Sequence, residues 1–90
     1  VLREIRSAYP VKDYHLILEF DTGEYKIIDL RKFLKGPVFE PLKDPSYFKQ
    51  VKVDHEAGTV TWPNGADLDP DVLYNRSLPL RLPGEDIAQG

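Results

Sequence analysis

Between Tyr14 and Asp29 the chain alternates apolar and polar residues on both sides of a glycine turn, a pattern that specifies an antiparallel hairpin. In Tyr14-His-Leu-Ile-Leu-Glu-Phe20, successive side chains point to opposite sides of a strand. Tyr14, Leu16, Leu18 and Phe20 therefore share one face, and His15, Ile17 and Glu19 the other. Asp21-Thr22-Gly23 makes the turn, with Gly23 supplying the positive φ that a short loop needs, and Glu24-Tyr-Lys-Ile-Ile-Asp29 returns as the partner strand.

The same reasoning extends to the rest of the chain. Residues 2–8 form a first strand, with either Leu2 or Ile5 facing the core. Val51-Lys-Val-Asp54 and Gly58-Thr-Val-Thr-Trp62 form a second hairpin through His55-Glu56-Ala57-Gly58. Asp29 is expected to cap a short helix over Leu30–Lys35 that buries Leu30, Phe33 and Leu34 and ends at Gly36-Pro37. Val38 to Leu42 is expected to be an extended connection plugging one edge of the core. Asp44 caps a second short helix with Pro45 at its first position and Tyr47 and Phe48 turned inward. A last helix over Asp71–Arg76 packs Val72 and Leu73 on the sheet. The expected fold is α+β and two-layered, an antiparallel sheet of four to five strands from two hairpins with two to three short helices. Residues 1–78 form the domain, and 79–90, with Pro79, Pro83 and Gly84, a flexible tail.

Composition limits the function classes. Ninety residues make one domain, which buries a little over ~60% of its unfolded surface. Twelve Lys plus Arg against fifteen Asp plus Glu leave a net charge of −3, whereas a domain that neutralises phosphates unaided carries a basic surplus. Direct nucleic-acid binding is therefore not expected. The one basic cluster, Arg31, Lys32 and Lys35, has the spacing of a short helix's wet face as well as that of a phosphate patch. The absence of cysteine excludes disulfides and thiolate chemistry and permits a reducing compartment. With no apolar run longer than Leu16-Ile17-Leu18 and no signal pattern, the expectation is a soluble cytoplasmic protein that does not enter membranes. The lack of any methionine points to a start upstream of Val1.

The segment Trp62-Pro-Asn-Gly-Ala-Asp-Leu-Asp-Pro-Asp71 carries the densest stereochemical information. Asp67, Asp69 and Asp71 alternate as in a calcium loop, but the glycine due at its sixth position is Val72 and the glutamate due at its twelfth is Leu78. A structural account covers each residue: Asn64-Gly65 is a tight turn, Asp69 a helix cap, Pro70 the first helical position and Asp71 a carboxylate at the positive helix end. His15 and His55 lack partners at zinc-binding spacing. Ser7, Ser46 and Ser77 sit in no Gly-x-Ser-x-Gly elbow, and the six glycines form no phosphate loop. Asp54 and Glu56 are paired carboxylates but need a pocket to act as acid and base. The aromatic residues could form a base-stacking platform, yet Tyr25-Lys26 is the one close aromatic–basic pairing on a strand, so core packing explains them better, Trp62 included. No catalytic, cofactor-binding or metal-binding residues are assigned, no cofactor is expected, and the chain is not expected to be an enzyme. Trp62, Asn64, Gly65, Asp67 and Asp69 stand as signature or interaction residues.

The run Gly36-Pro-Val-Phe-Glu-Pro-Leu-Lys-Asp-Pro45 with Phe48, then Val51-Lys-Val-Asp54, Gly58 through Pro70 and Leu73-Tyr74, resembles the small bacterial domain-of-unknown-function family two-four-four-two. The hairpin Tyr14 to Asp29 fits the same pattern. The likeness covers about residues 3–75 and leaves out 79–90. It implies a compact α+β domain without an established activity. Some relatives are joined to a helix-turn-helix, which this chain lacks, and many are encoded beside another small protein in pairs of suspected toxin–antitoxin type. Two expectations follow. One is a protein-interaction module, the antitoxin-like partner of another small protein, with self-association through a strand edge as an additional route. The other is an enzyme or a ligand- or metal-binding domain using the carboxylates near Asp67 and Asp69.

Overall fold

The computed structural model describes residues 3–80. Strands β1 (Ile5–Val11), β2 (His15–Phe20) and β3 (Tyr25–Asp29) form an antiparallel meander, which β6 (Leu78–Pro79) extends in the order β1-β2-β3-β6. Strands β4 (Lys52–Asp54) and β5 (Thr59–Thr61) form a separate two-stranded sheet. Two short helices, α1 (Pro45–Phe48) and α2 (Pro70–Arg76), complete the expected two-layer α+β fold.

Alternation in β2 and β3 sorts the sheet into two faces. Leu16, Leu18, Phe20, Ile28 and Leu30 are buried on one side, joined there by Ile5. Phe48, Val60, Trp62 and Leu73 close over them, together with Leu42. The Phe20 ring meets Tyr74 edge-on at 5.0 Å between centroids, and Tyr14 meets Phe48 the same way at 5.4 Å. The two sheets join at Gly58, whose carbonyl accepts the Ile5 N–H at 2.8 Å. At that position φ is +71° and a Cβ would lie 3.1 Å from Glu4 Cγ, so both backbone geometry and space favour glycine.

Several elements differ from the sequence expectations. The first strand runs from Ile5 to Val11 rather than over 2–8, with a register shift between Ile5 and Ser7. Ile5 faces the core; Leu2 lies outside the described residues. Tyr14, expected to open β2, instead follows Asp13 into the left-handed region, at φ 61° and 59° respectively. It is held there by its hydroxyl donating to the Lys43 carbonyl and by its ring on Phe48. The helix expected over Leu30–Lys35 shrinks to one 3-10 turn, Arg31–Phe33, without a side-chain cap. Asp29 belongs to β3, and its carboxylate takes the Arg31 N–H and guanidinium. The 38–42 segment is not simply extended, because Glu40–Lys43 coils into a 3-10 turn that buries Leu42, with Pro41 near its start.

The sheet also continues past the expected end of the ordered elements. Ser77 leaves α2 with an extended backbone, Leu78 and Pro79 pair with Ile27 and Lys26, and the Leu80 N–H reaches the Tyr25 carbonyl at 2.9 Å. The rest of the expected tail, 81–90, lies outside the described residues.

Candidate functional site

The signature segment resolves into scaffold geometry. Trp62 is buried, and its indole N–H donates to the Phe48 carbonyl at 3.0 Å. The Trp62 N–H and carbonyl close the turn on Ala66 and Gly65, with Gly65 at φ +87°. Asn64 fastens that turn in two directions, accepting the Ala66 N–H and donating to the Val38 carbonyl at 2.8 Å. Asp69 accepts the Asp71 N–H as the cap of α2, and Asp71 accepts the Arg3 N–H at 3.0 Å. Asp67 bridges to Thr61 through its backbone and keeps its side chain exposed. The acidic trio thus performs separate tasks, and among the described residues no group of three or more His, Cys, Asp or Glu could hold a metal ion. His55 is exposed in its turn, and His15 lies on the outer side of the sheet, with Nδ1 2.9 Å from the Asp13 carbonyl.

A polar clasp fastens α2 to the margin of the sheet. Lys26, on the core face of β3, donates from Nζ to the Tyr74 carbonyl at 2.8 Å while its ammonium lies 3.9 Å from the Tyr74 ring centre. That carbonyl is in the last turn of α2, where a cation is favoured. The Tyr74 hydroxyl donates to Glu24 at 2.5 Å; this bond is the main cause of a lowered Glu24 pKa and a raised Tyr74 pKa. The Arg3 guanidinium also lies over the Tyr74 ring, 4.9 Å from its centre, and is 3.8 Å from Asp21. That separation is an electrostatic contact rather than a hydrogen bond, consistent with buried Asp21 Oδ1 lacking a hydrogen-bond partner. Tyr25 and Lys26 point to opposite faces, so the aromatic–basic pair noted in the sequence is not assembled.

The outer face of the four-stranded sheet is different. Register places Tyr9 opposite Ile17, Ile17 opposite Ile27 and Ile27 opposite Leu78, an apolar row across all four strands. Tyr9 is 50% and Leu78 68% exposed, and none of the row is buried. Polar rows flank it. On one side Ser7, Glu19 and Tyr25 align, with the Ser7 hydroxyl donating to Glu19 at 2.8 Å and the Glu19 charge raising the Tyr25 pKa. On the other, Val11, His15 and Asp29 align, and Arg31 grips Asp29 at 2.6 Å, holding that carboxyl down at about 2.

The edges of this sheet are blunted. Strand β1 carries the register shift and Pro10, and its start is occupied by Gly58; β6 has two residues, one of them Pro79. Such edges offer few free N–H groups for strand addition.

Two concavities are formed by the described residues. A recess of about 130 Å³ lies among Val11, Tyr14, Pro45 and Phe48, and an open cleft of about 460 Å³ among Asp29, Lys32, Phe33 and Arg76. The first is smaller than most small-molecule sites; the second reaches their range. Neither Arg76 nor the outer apolar row stood out in the sequence, because the cleft joins residues 44 positions apart, from Lys32 to Arg76, and the row needs the cross-strand register. No helix among the described residues is long and apolar enough to cross a membrane. No curated protein and no solved structure matches the chain. A family model does match, over residues 5–79, which includes every strand and both helices of the described residues: the chain belongs to the family described as protein of unknown function (DUF2442).

Proposed function

We propose that this domain is a non-catalytic protein-interaction module that docks a second small protein on the outer face of its four-stranded sheet. The observation that carries the reading is the partly exposed apolar row Tyr9, Ile17, Ile27 and Leu78, continuous across four strands. Strands spaced ~4.8 Å apart make that face about 15 Å wide, enough for a modest, transient interface. A net charge of −3 favours a basic partner and speeds its encounter. The partner is the product of a neighbouring gene in a bacterial cytoplasm, with this chain as the antitoxin-like half of the pair; the family resemblance supports that choice. Blunted edges favour docking on the face over strand addition.

The test is co-purification with the small protein encoded beside it, comparing the native chain with Ile17→Lys. Ile17 is only partly buried, so the variant should keep its fold and lose the partner. Undiminished recovery of the partner by a folded Ile17→Lys chain would overturn the reading.

A further inference from the structure

The sequence shows Arg31, Lys32 and Lys35 as one basic cluster, but the structure divides it. Arg31 is committed to Asp29: its Nε lies 3.0 Å from both carboxylate oxygens and its Nη2 2.6 Å from one of them. Lys32 instead lines the open cleft with Arg76, which arrives from the last turn of α2. Neither Lys32 nor Arg76 forms an ion pair among the described residues, where the pairs are Arg3–Asp21, His15–Asp29, Arg31–Asp29 and Lys43–Glu40. Asp29, the cleft's acidic residue, is neutralised by Arg31. Among the described residues the cleft therefore carries two cations without an ion-pair partner, on a chain whose net charge is −3. Phe33, half-buried against the core, adds an aromatic wall.

From this juxtaposition we infer that the cleft binds a phosphate monoester that also bears a flat unsaturated ring, of the nucleoside monophosphate class. A guanidinium and an ammonium suit a phosphate dianion, the first by paired N–H donation and the second as a point charge. An aromatic side chain offers a face on which an unsaturated ring stacks. The site is separate from the outer apolar row and does not depend on it. Because Asp29 withdraws Arg31 from the cleft, the ion pair also restrains affinity; its removal adds a third cation and deletes the one opposing charge.

The experiment is a titration of the isotope-labelled chain with adenosine monophosphate, adenosine and inorganic phosphate, read from backbone amide shifts. Adenosine monophosphate should move Lys32, Phe33 and Arg76 and bind at least about tenfold more tightly than either fragment. Lys32→Gln and Arg76→Gln should each weaken it by about tenfold, as loss of a charge-assisted contact does. Lys35→Gln, outside the cleft lining, should leave it unchanged, and Asp29→Asn should tighten it. Equal affinity for inorganic phosphate would overturn the ring's contribution. Shifts scattered over all surface lysines, or no shift at Lys32 and Arg76, would overturn the site. All four substitutions fall at exposed or partly exposed side chains, so spectra of the unliganded variants separate loss of binding from loss of fold.

Discussion

The two faces of the four-stranded sheet are built from the same strands at alternating positions, yet they differ in how much water they meet. The inner face is dry: Leu16, Leu18 and Phe20 are completely excluded from water. On the outer face the intervening residues Ile17 and Ile27 are aliphatic too, but they stay partly exposed. Hydrophobicity along the strand does not separate the two faces; what separates them is which one receives Phe48, Trp62 and Leu73. An apolar side chain contributes to stability only in so far as folding removes it from water.

That contrast can be tested first where it is widest. Phe20→Ala should cost about 3–5 kcal/mol, through lost burial and the cavity left behind, whereas Ile17→Ala should cost under about 1 kcal/mol. Urea unfolding of the two variants measures the difference directly, and equal costs would mean that the outer face is covered after all.

A smaller effect is expected at Lys26, the polar exception on the inner face. Its ammonium closes the last turn of α2 through the Tyr74 carbonyl and sits against the Tyr74 ring. Lys26→Met keeps the length of the side chain and removes the charge, with an expected loss of about 1–3 kcal/mol. A gain in the urea midpoint would show instead that burying the ammonium costs more than its contacts return.

The smallest effect belongs to the outer rim. Asp29 is held at about 2 against a usual 3.8, first by the hydrogen bonds from Arg31. A carboxyl whose folded pKa is depressed stabilises the fold above its unfolded pKa. That contribution fades as pH falls from 3.8 through about 2. With the Asp29 side chain 39% exposed, solvent screening should keep the contribution under about 1 kcal/mol. Asp29→Asn should flatten the acid limb of the stability profile in that window by lowering the plateau near neutrality by the same small amount, under about 1 kcal/mol. An identical acid limb in both proteins would mean that the ion pair is not maintained in solution.

What could be read from the sequence followed from local rules. The hairpin from β2 to β3, the caps at Asp44 and Asp69, the Asn64-Gly65 turn and the burial of Trp62 each depend on residues a few positions apart. The misread parts depend on distant partners. Tyr14 looked like a strand residue because its alternation was right; its positive φ is stabilised by Lys43 and Phe48, about thirty positions away. Lys26 drew notice only as the basic neighbour of Tyr25, although alternation with Ile28 already placed it inside. Strand β6 carries Pro79 and only two residues, too little for a local signal, and exists because α2 delivers it alongside β3. The cleft is the extreme case, since Lys32 and Arg76 share no local pattern.

The blunted edges of the sheet also bear on stoichiometry. Strand addition regenerates a free edge with every molecule added, so it has no inherent end and risks growth into fibres. A face is used up by its first occupant. With a register shift and Pro10 on one margin and the two-residue β6 with Pro79 on the other, the sheet is poorly suited to propagation. On the proposed reading its outer surface would have a valency of one: a partner docked there would end the assembly in that direction.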